Sequence, residues 1–126
     1  MRSAMTSRPI SPQELEVLRC ALDVCRTPAA SSSHDTAIQT LLVSSLCECG
    51  CDTVEFQRAG AEATAVIADG LGETADGRGV GLLVFGTVDT ITCLEVYSFD
   101  DIPARLPRLD SIRPFGSSQP TGSPGN

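Results

Sequence analysis

The chain has 126 residues, the length of one small domain, and about a quarter of them are Leu, Ile, Val or Phe, enough for a modest core. Its formal net charge is −7, and all nine basic residues are arginine. This balance argues against a protein that binds a nucleic-acid backbone through clustered cations, and no apolar run approaches the roughly 18 residues of a membrane span. We therefore expect neither nucleic acid nor membrane as a partner.

The first ten residues contain no apolar segment of the kind that a signal peptide requires. We therefore expect a cytoplasmic protein. Its six cysteines are then expected to be reduced thiols, because disulfides are rare in that compartment.

A helix is predicted to begin at Ser11. Pro12 follows in the first helical position, and Glu14 stands three residues after Ser11, which is the pattern of a capping box. Apolar residues then recur at helical spacing as far as Cys25, with charged residues on the opposite arc. This pattern predicts an amphipathic helix of about 15 residues that ends before Thr27-Pro28.

Residues 27–35 are polar and predict an exposed loop that carries His34, the one histidine. From residue 41 onward, alternating and β-branched segments predict strands, with turns at Asp69-Gly70, Asp76-Gly77 and 88–90. Residues 100–113 contain prolines and predict an extended segment at the edge of the domain. The predicted strands are 41–46, 53–58, 63–68, 80–87 and 91–99.

These elements predict an α+β fold, in which an N-terminal helix packs on an antiparallel sheet, a meander of about five strands. We expect a flexible N-terminus at 1–10, a single domain at 11–113 and a disordered tail at 114–126. The strands at 80–87 and 91–99 are apolar on both faces. One helix covers one face only, so sheet surface remains for a partner or a second subunit.

Three cysteines stand at alternate positions in the segment 47–51, around Gly50. If 41–46 and 52–58 pair as a hairpin, this segment forms the loop, and Gly50 supplies a positive φ angle. The plain interpretation is a tight turn that happens to contain thiols. A redox site lacks the C-x-x-C spacing that lowers a thiol pKa.

A zinc site is the alternative interpretation of the same segment. Cys47, Cys49 and Cys51 are candidate metal ligands, but zinc takes four ligands and structural sites draw them from two clusters. The fourth ligand would come from His34, from Cys93 or from another chain.

Two other features resemble catalytic motifs without their context. Ser31–Ser33, His34 and Asp35 are neighbours in sequence, whereas a catalytic triad is assembled from separate segments. The glycine-rich stretch 70–86 runs from strand to strand and has no lysine, so nucleotide binding is not expected.

Glu95 is the lone charge on an apolar strand face and is a candidate acid or base, although no second catalytic group can be placed beside it.

Three stretches together resemble a group of small bacterial proteins that have no established activity. They are RPISPQE at 8–14, CECGCDTVEF at 47–56, and LEVYSFD at 94–100 followed by Leu106-Pro107. The resemblance covers most of residues 8–113. It implies a bacterial, cytoplasmic, single-domain protein and assigns no functional residue.

The residues contain no assembled catalytic set, so we expect a non-enzymatic protein-interaction module, immunity-like or regulatory, that binds a protein partner or self-associates. No cofactor is expected under this interpretation. The alternatives are a zinc protein that uses Cys47, Cys49 and Cys51, and a small enzyme with Glu95 as acid or base. An acidic protein that neutralises a basic partner fits the net charge.

Overall fold

The computed structural model describes residues 7–46, 50–57 and 63–116. These residues form an α+β fold of two α-helices and a seven-stranded antiparallel sheet, with strand order β1-β2-β3-β6-β5-β4-β7. The elements are β1 Arg8–Pro9, α1 Pro12–Val24, α2 Ser32–Ala37, β2 Leu42–Leu46, β3 Val54–Phe56, β4 Ala65–Glu73, β5 Gly79–Gly86, β6 Ile91–Ser98 and β7 Arg113–Pro114.

The start of α1 confirms the predicted capping box. The Ser11 hydroxyl accepts from Glu14 N at 3.1 Å, and the Glu14 carboxylate accepts from Ser11 N at 2.9 Å. Arg8 adds a bidentate pair to the same carboxylate, at 2.8 and 3.0 Å. Glu14 therefore joins β1 to α1. Only 7% of this residue is exposed, so its charge is buried against these partners.

Replacing Glu14 with glutamine is expected to destabilise the fold by about 1–2 kcal/mol at neutral pH. Burial raises the pKa of Glu14, but the hydrogen bonds from Arg8 and Ser11 and the charge of Arg8 outweigh burial and hold this pKa below its ordinary value. A lowered pKa in the folded state stabilises the fold above the unfolded-state value of about 4.3, and this stabilisation is lost as the pH falls through the folded-state value. The difference between wild type and Glu14→Gln should therefore shrink below about pH 4 in urea unfolding.

The matched control is Glu16→Gln, because Glu16 is exposed on the same helix. It should change stability by less than about 0.5 kcal/mol. A Glu14→Gln variant as stable as wild type at pH 7 would contradict the assignment.

The sheet has seven strands, and the predicted number of about five is wrong in this respect. The two additional strands, β1 and β7, are two residues long and contain a proline each, so no periodic pattern marks them. The predicted turn at Asp69-Gly70 is also wrong, since β4 continues through it to Glu73. A Cβ on Gly70 would lie 2.5 Å from Cys25 Sγ and 2.9 Å from Arg113 O, so this glycine is there for the close approach of Cys25 and β7 and not for a turn.

The core lies between α1 and one face of the sheet. Val17, Leu18 and Leu22 of α1 are almost wholly buried, and α1 contacts β4 and β5. From the sheet, every second residue of β5 and β6 is buried against them. The buried sheet residues include Ile67, Val80, Leu82, Val84, Leu94 and Val96.

The segment after β6 closes the edge of the core. Leu106 and Ile112 are buried, whereas Ile102 and Leu109 are 43% and 41% exposed. Neither helix in the described part of the chain is long and apolar enough to span a membrane.

Candidate functional site

The face of the sheet opposite α1, called the outer face below, carries side chains that the core does not use. In β5 and β6 the residues that alternate with the core are half-buried, and cross-strand partners share this face because the pairing is antiparallel. The apolar members are Val66, Leu71, Leu83, Phe85, Cys93 and Tyr97, with the exposed Phe99 just beyond β6.

Two carboxylates interrupt this apolar surface. In the register of the sheet, Leu83 lies opposite Asp69 on one side and Glu95 on the other. Both acids are half-buried. Among the described residues, no arginine lies within 4.0 Å of either carboxylate. The outer face therefore combines apolar side chains with two carboxylates that lack an ion-pair partner in this part of the chain.

Tyr97 and Phe99 lie across two glycines of β5. A Cβ on Gly81 would overlap the end of the Tyr97 ring, and a Cβ on Gly79 would contact Phe99 at 3.5 Å. The two rings meet edge to face, with centroids 5.7 Å apart and planes at 86°. The absence of a side chain at Gly81 thus leaves room for the Tyr97 ring over this position.

The pKa values on this face indicate an acidic, partly desolvated surface. Burial, followed by the charges of Glu55 and Glu95, raises the pKa of the Cys93 thiol to about 12. Burial and then the charges of Asp69 and Glu95 raise the pKa of Tyr97. Both groups stay protonated at neutral pH, so neither is an activated nucleophile or base.

Glu95 also borders a shallow groove of about 460 Å³ between β6 and residues 101–104. Two hydroxyls that line the groove, those of Thr53 and Ser98, are held by the backbone. Thr53 Oγ1 accepts from Val96 N at 2.8 Å and donates to Val96 O at 3.0 Å, and Ser98 Oγ donates to Asp100 O at 2.9 Å. Within the described residues, the groove does not bring Glu95 into a hydrogen bond with a hydroxyl nucleophile.

The predicted hairpin around the cysteine segment is present. β2 pairs antiparallel with β3, and Gly50 has φ +93°, which confirms the predicted positive angle. Cys47 and Cys49 lie outside the described residues, and Cys51 is half-buried beside the core. The zinc interpretation of these three ligands stays a prediction.

The two candidates for a fourth ligand within the chain are differently placed. Cys93 lies on the outer face beside Glu55. His34 is fully buried, with Nδ1 accepting from Ser31 N at 3.0 Å and Nε2 bonded to Thr87 O at 2.7 Å. Among the described residues, no group of three or more His, Cys, Asp or Glu side chains is arranged to hold a metal ion.

The expected exposed loop at 27–35 is wrong in its second half. Residues from Ser32 onward form α2, and the side chain of His34 bonds back to Ser31 N at the start of this helix. That bond and the bond to Thr87 satisfy both ring nitrogens, so the imidazole can be buried. Asp35 is turned to Arg26, with contacts of 2.7 and 2.9 Å, so it does not orient His34 as a triad acid would.

Comparisons with protein-family models, with curated proteins and with solved structures found no match to this chain. The resemblance to small bacterial proteins therefore stays a prediction.

Sequence reasoning found part of this face. The apolar character of both faces of β5 and β6 predicted an open sheet surface, and Glu95 was noted as its charge. Asp69 and Leu71 were missed, because the Asp-Gly pair at 69–70 was assigned to a turn. A β-bulge between Val66 and Ala68 shifts the alternation in β4, so the sequence pattern does not show which face Asp69 occupies.

Proposed function

We propose that this protein is a non-enzymatic interaction module and that the outer face of its sheet binds a protein partner. The observation that carries the proposal is the combination of an apolar sheet face with two carboxylates, Asp69 and Glu95, that have no ion pair in the described structure. A contiguous apolar patch is unusual on a protein surface unless something binds there.

The scaffold beneath this face favours binding because its strands are paired over most of their length. β4 and β5 pair over eight residue pairs, and β5 and β6 over seven. Tyr97 is fixed against Gly81 and Phe99. Little side-chain and backbone freedom then remains to be lost on association, which favours affinity.

The chemistry of the described residues supports a binding role over catalysis. The hydroxyls of Thr53 and Ser98 are held by backbone groups, and the pKa values of Cys93 and Tyr97 are raised. A hydrolytic or transfer reaction needs a nucleophile and a base in contact.

The arginines support a protein partner over nucleic acid. Five of them, Arg8, Arg26, Arg78, Arg105 and Arg108, are paired with carboxylates and spread over the molecule. Binding a phosphate backbone requires cations that are clustered and available.

A displayed library of random peptides, selected on the folded protein, tests this function. We expect binders whose affinity falls by at least about a hundredfold on Leu83→Asp, because a charge is placed in the centre of the apolar face. Val24→Asp is the matched control, since Val24 is a 40% exposed residue of α1 on the other side of the molecule. Binders unaffected by Leu83→Asp, in a variant that melts like wild type, would overturn the proposal.

A further inference from the structure

We infer that the partner presents arginine or lysine side chains to the outer face, where Asp69 and Glu95 receive the cation and the Tyr97 ring lies beneath it. This inference rests on the proposed function and specifies the chemistry of the partner.

The first support is the charge pattern of the face. Asp69 and Glu95 flank Leu83 from the two neighbouring strands, so their Cα atoms are about 10 Å apart across β5. Glu55 lies opposite Cys93 in the next row and is exposed. These carboxylates make the face electronegative around an apolar centre, which is complementary to a surface that mixes basic and apolar residues.

No described arginine pairs with a carboxylate of this face. Arg113 lies opposite Leu71 at the β7 edge of the same face, and its Nη1 is 3.5 Å from Ser111 O. Arg78, near the Phe99 end, is occupied by Asp76 and Asp100, at 3.1 and 3.2 Å. Within the described residues, Asp69 and Glu95 therefore remain able to pair with a cation of the partner.

Tyr97 supplies the second support. Its ring lies across Gly81, next to the row of the sheet that contains Asp69, Leu83 and Glu95. Burial, and then the charges of the two acids, raise the pKa of Tyr97. An aromatic ring bordered by carboxylates suits a guanidinium group, which can stack on the ring while its N–H groups donate hydrogen bonds to the carboxylates.

Charge also argues against two other occupants. A second copy of the chain would bring its own Asp69 and Glu95 against the same carboxylates, within a molecule of net charge −7. Residues 116–126, GSSQPTGSPGN, contain neither a cation nor a large apolar side chain, so this segment lacks the chemistry that the face would select.

The test compares peptides selected on wild type with peptides selected on a charge-reversed variant, Asp69→Lys with Glu95→Lys. We expect wild type to select peptides rich in arginine or lysine beside apolar residues, and the reversed variant to select acidic ones. Reversal of Glu16 and Asp23, both exposed on α1, is the matched control and should leave the selection unchanged. Neutralising Asp69→Asn or Glu95→Gln should weaken a basic peptide about tenfold, and added salt should weaken it further.

The free variants supply a second readout. Because no described residue forms an ion pair with either carboxylate, Asp69→Asn with Glu95→Gln should melt at the same temperature as wild type or higher, whereas acids paired within the chain would give a lower melting temperature. Peptides that bind the outer face without basic residues, and that tolerate both neutralisations, would overturn this inference and leave the proposed function standing. A wild-type dimer that Leu83→Asp dissociates would overturn the inference in favour of a second copy. Binding that maps away from the outer face would overturn both.

Discussion

Replacing His34 with alanine is expected to destabilise the fold by about 3–5 kcal/mol, a large part of the stability of a small domain. The side chain has no exposed surface and bonds Ser31 N at 3.0 Å and Thr87 O at 2.7 Å. Alanine would leave a cavity and two polar backbone groups without partners. Because the ring joins α2 to the turn after β5, we expect the loss to appear as a lower midpoint in urea unfolding.

Two variants make this result specific. Ser33→Ala changes an exposed residue of the same helix and should alter stability by less than about 0.5 kcal/mol. His34→Leu fills much of the volume but restores neither hydrogen bond, so it should remain about 2 kcal/mol or more below wild type. If His34→Leu were as stable as wild type, the hydrogen bonds of His34 would not account for its contribution to stability.

Gly86→Ala is expected to have the next largest effect, about 3 kcal/mol of destabilisation. A Cβ at this position would overlap the Thr90 carbonyl oxygen and lie 3.1 Å from Ile67 Cδ1. Thr90 O is backbone and accepts from Thr87 N at 3.0 Å across the turn, so it cannot move aside without breaking that bond. Thermal unfolding of the variant measures the effect.

Gly79→Ala on the same strand is the control. Its Cβ would meet Phe99 at 3.5 Å, which is ordinary contact, and alanine restricts the unfolded chain more than glycine does. It should therefore be neutral or slightly stabilising. Equal melting temperatures for Gly86→Ala and Gly79→Ala would contradict the packing described at the β5–β6 turn.

The sequence predicted those parts of the fold that repeat or follow a local rule. The α1 start was predicted because the capping box of Ser11 and Glu14 is a local pattern, and β5 and β6 were predicted because both are apolar on both faces. The positive φ angle of Gly50 followed from the predicted hairpin.

Other parts depend on contacts between distant segments, which a local pattern does not contain. The burial of His34 requires Thr87, 53 residues later in the chain. Gly70 appeared to be a turn residue, but its reason is the approach of Cys25 and Arg113. The strand β1 is likewise held by a contact with another element, the ion pair between Arg8 and Glu14 of α1. With two residues, it is too short to show a periodic pattern in the sequence.

The same distinction applies to the candidate site. That some sheet surface stays open could be predicted from two strands that are apolar on both faces. Its acidic character could not, because Asp69 and Glu95 come together only through the register of β4, β5 and β6. Cross-strand neighbours are determined by pairing and bulges, not by the sequence of either strand alone.

The most direct measurement of the central claim is an NMR titration of the ¹⁵N-labelled full chain with a basic, apolar peptide selected on the folded protein. We expect the largest amide shifts on the outer-face residues Leu71, Leu83, Glu95 and Tyr97, and no shifts on exposed residues of α1 such as Glu16 and Asp23. We also expect the shifts to vanish in Leu83→Asp. Shifts centred on α1, or spread evenly over the molecule, would contradict the claim that the outer face of the sheet is the binding surface.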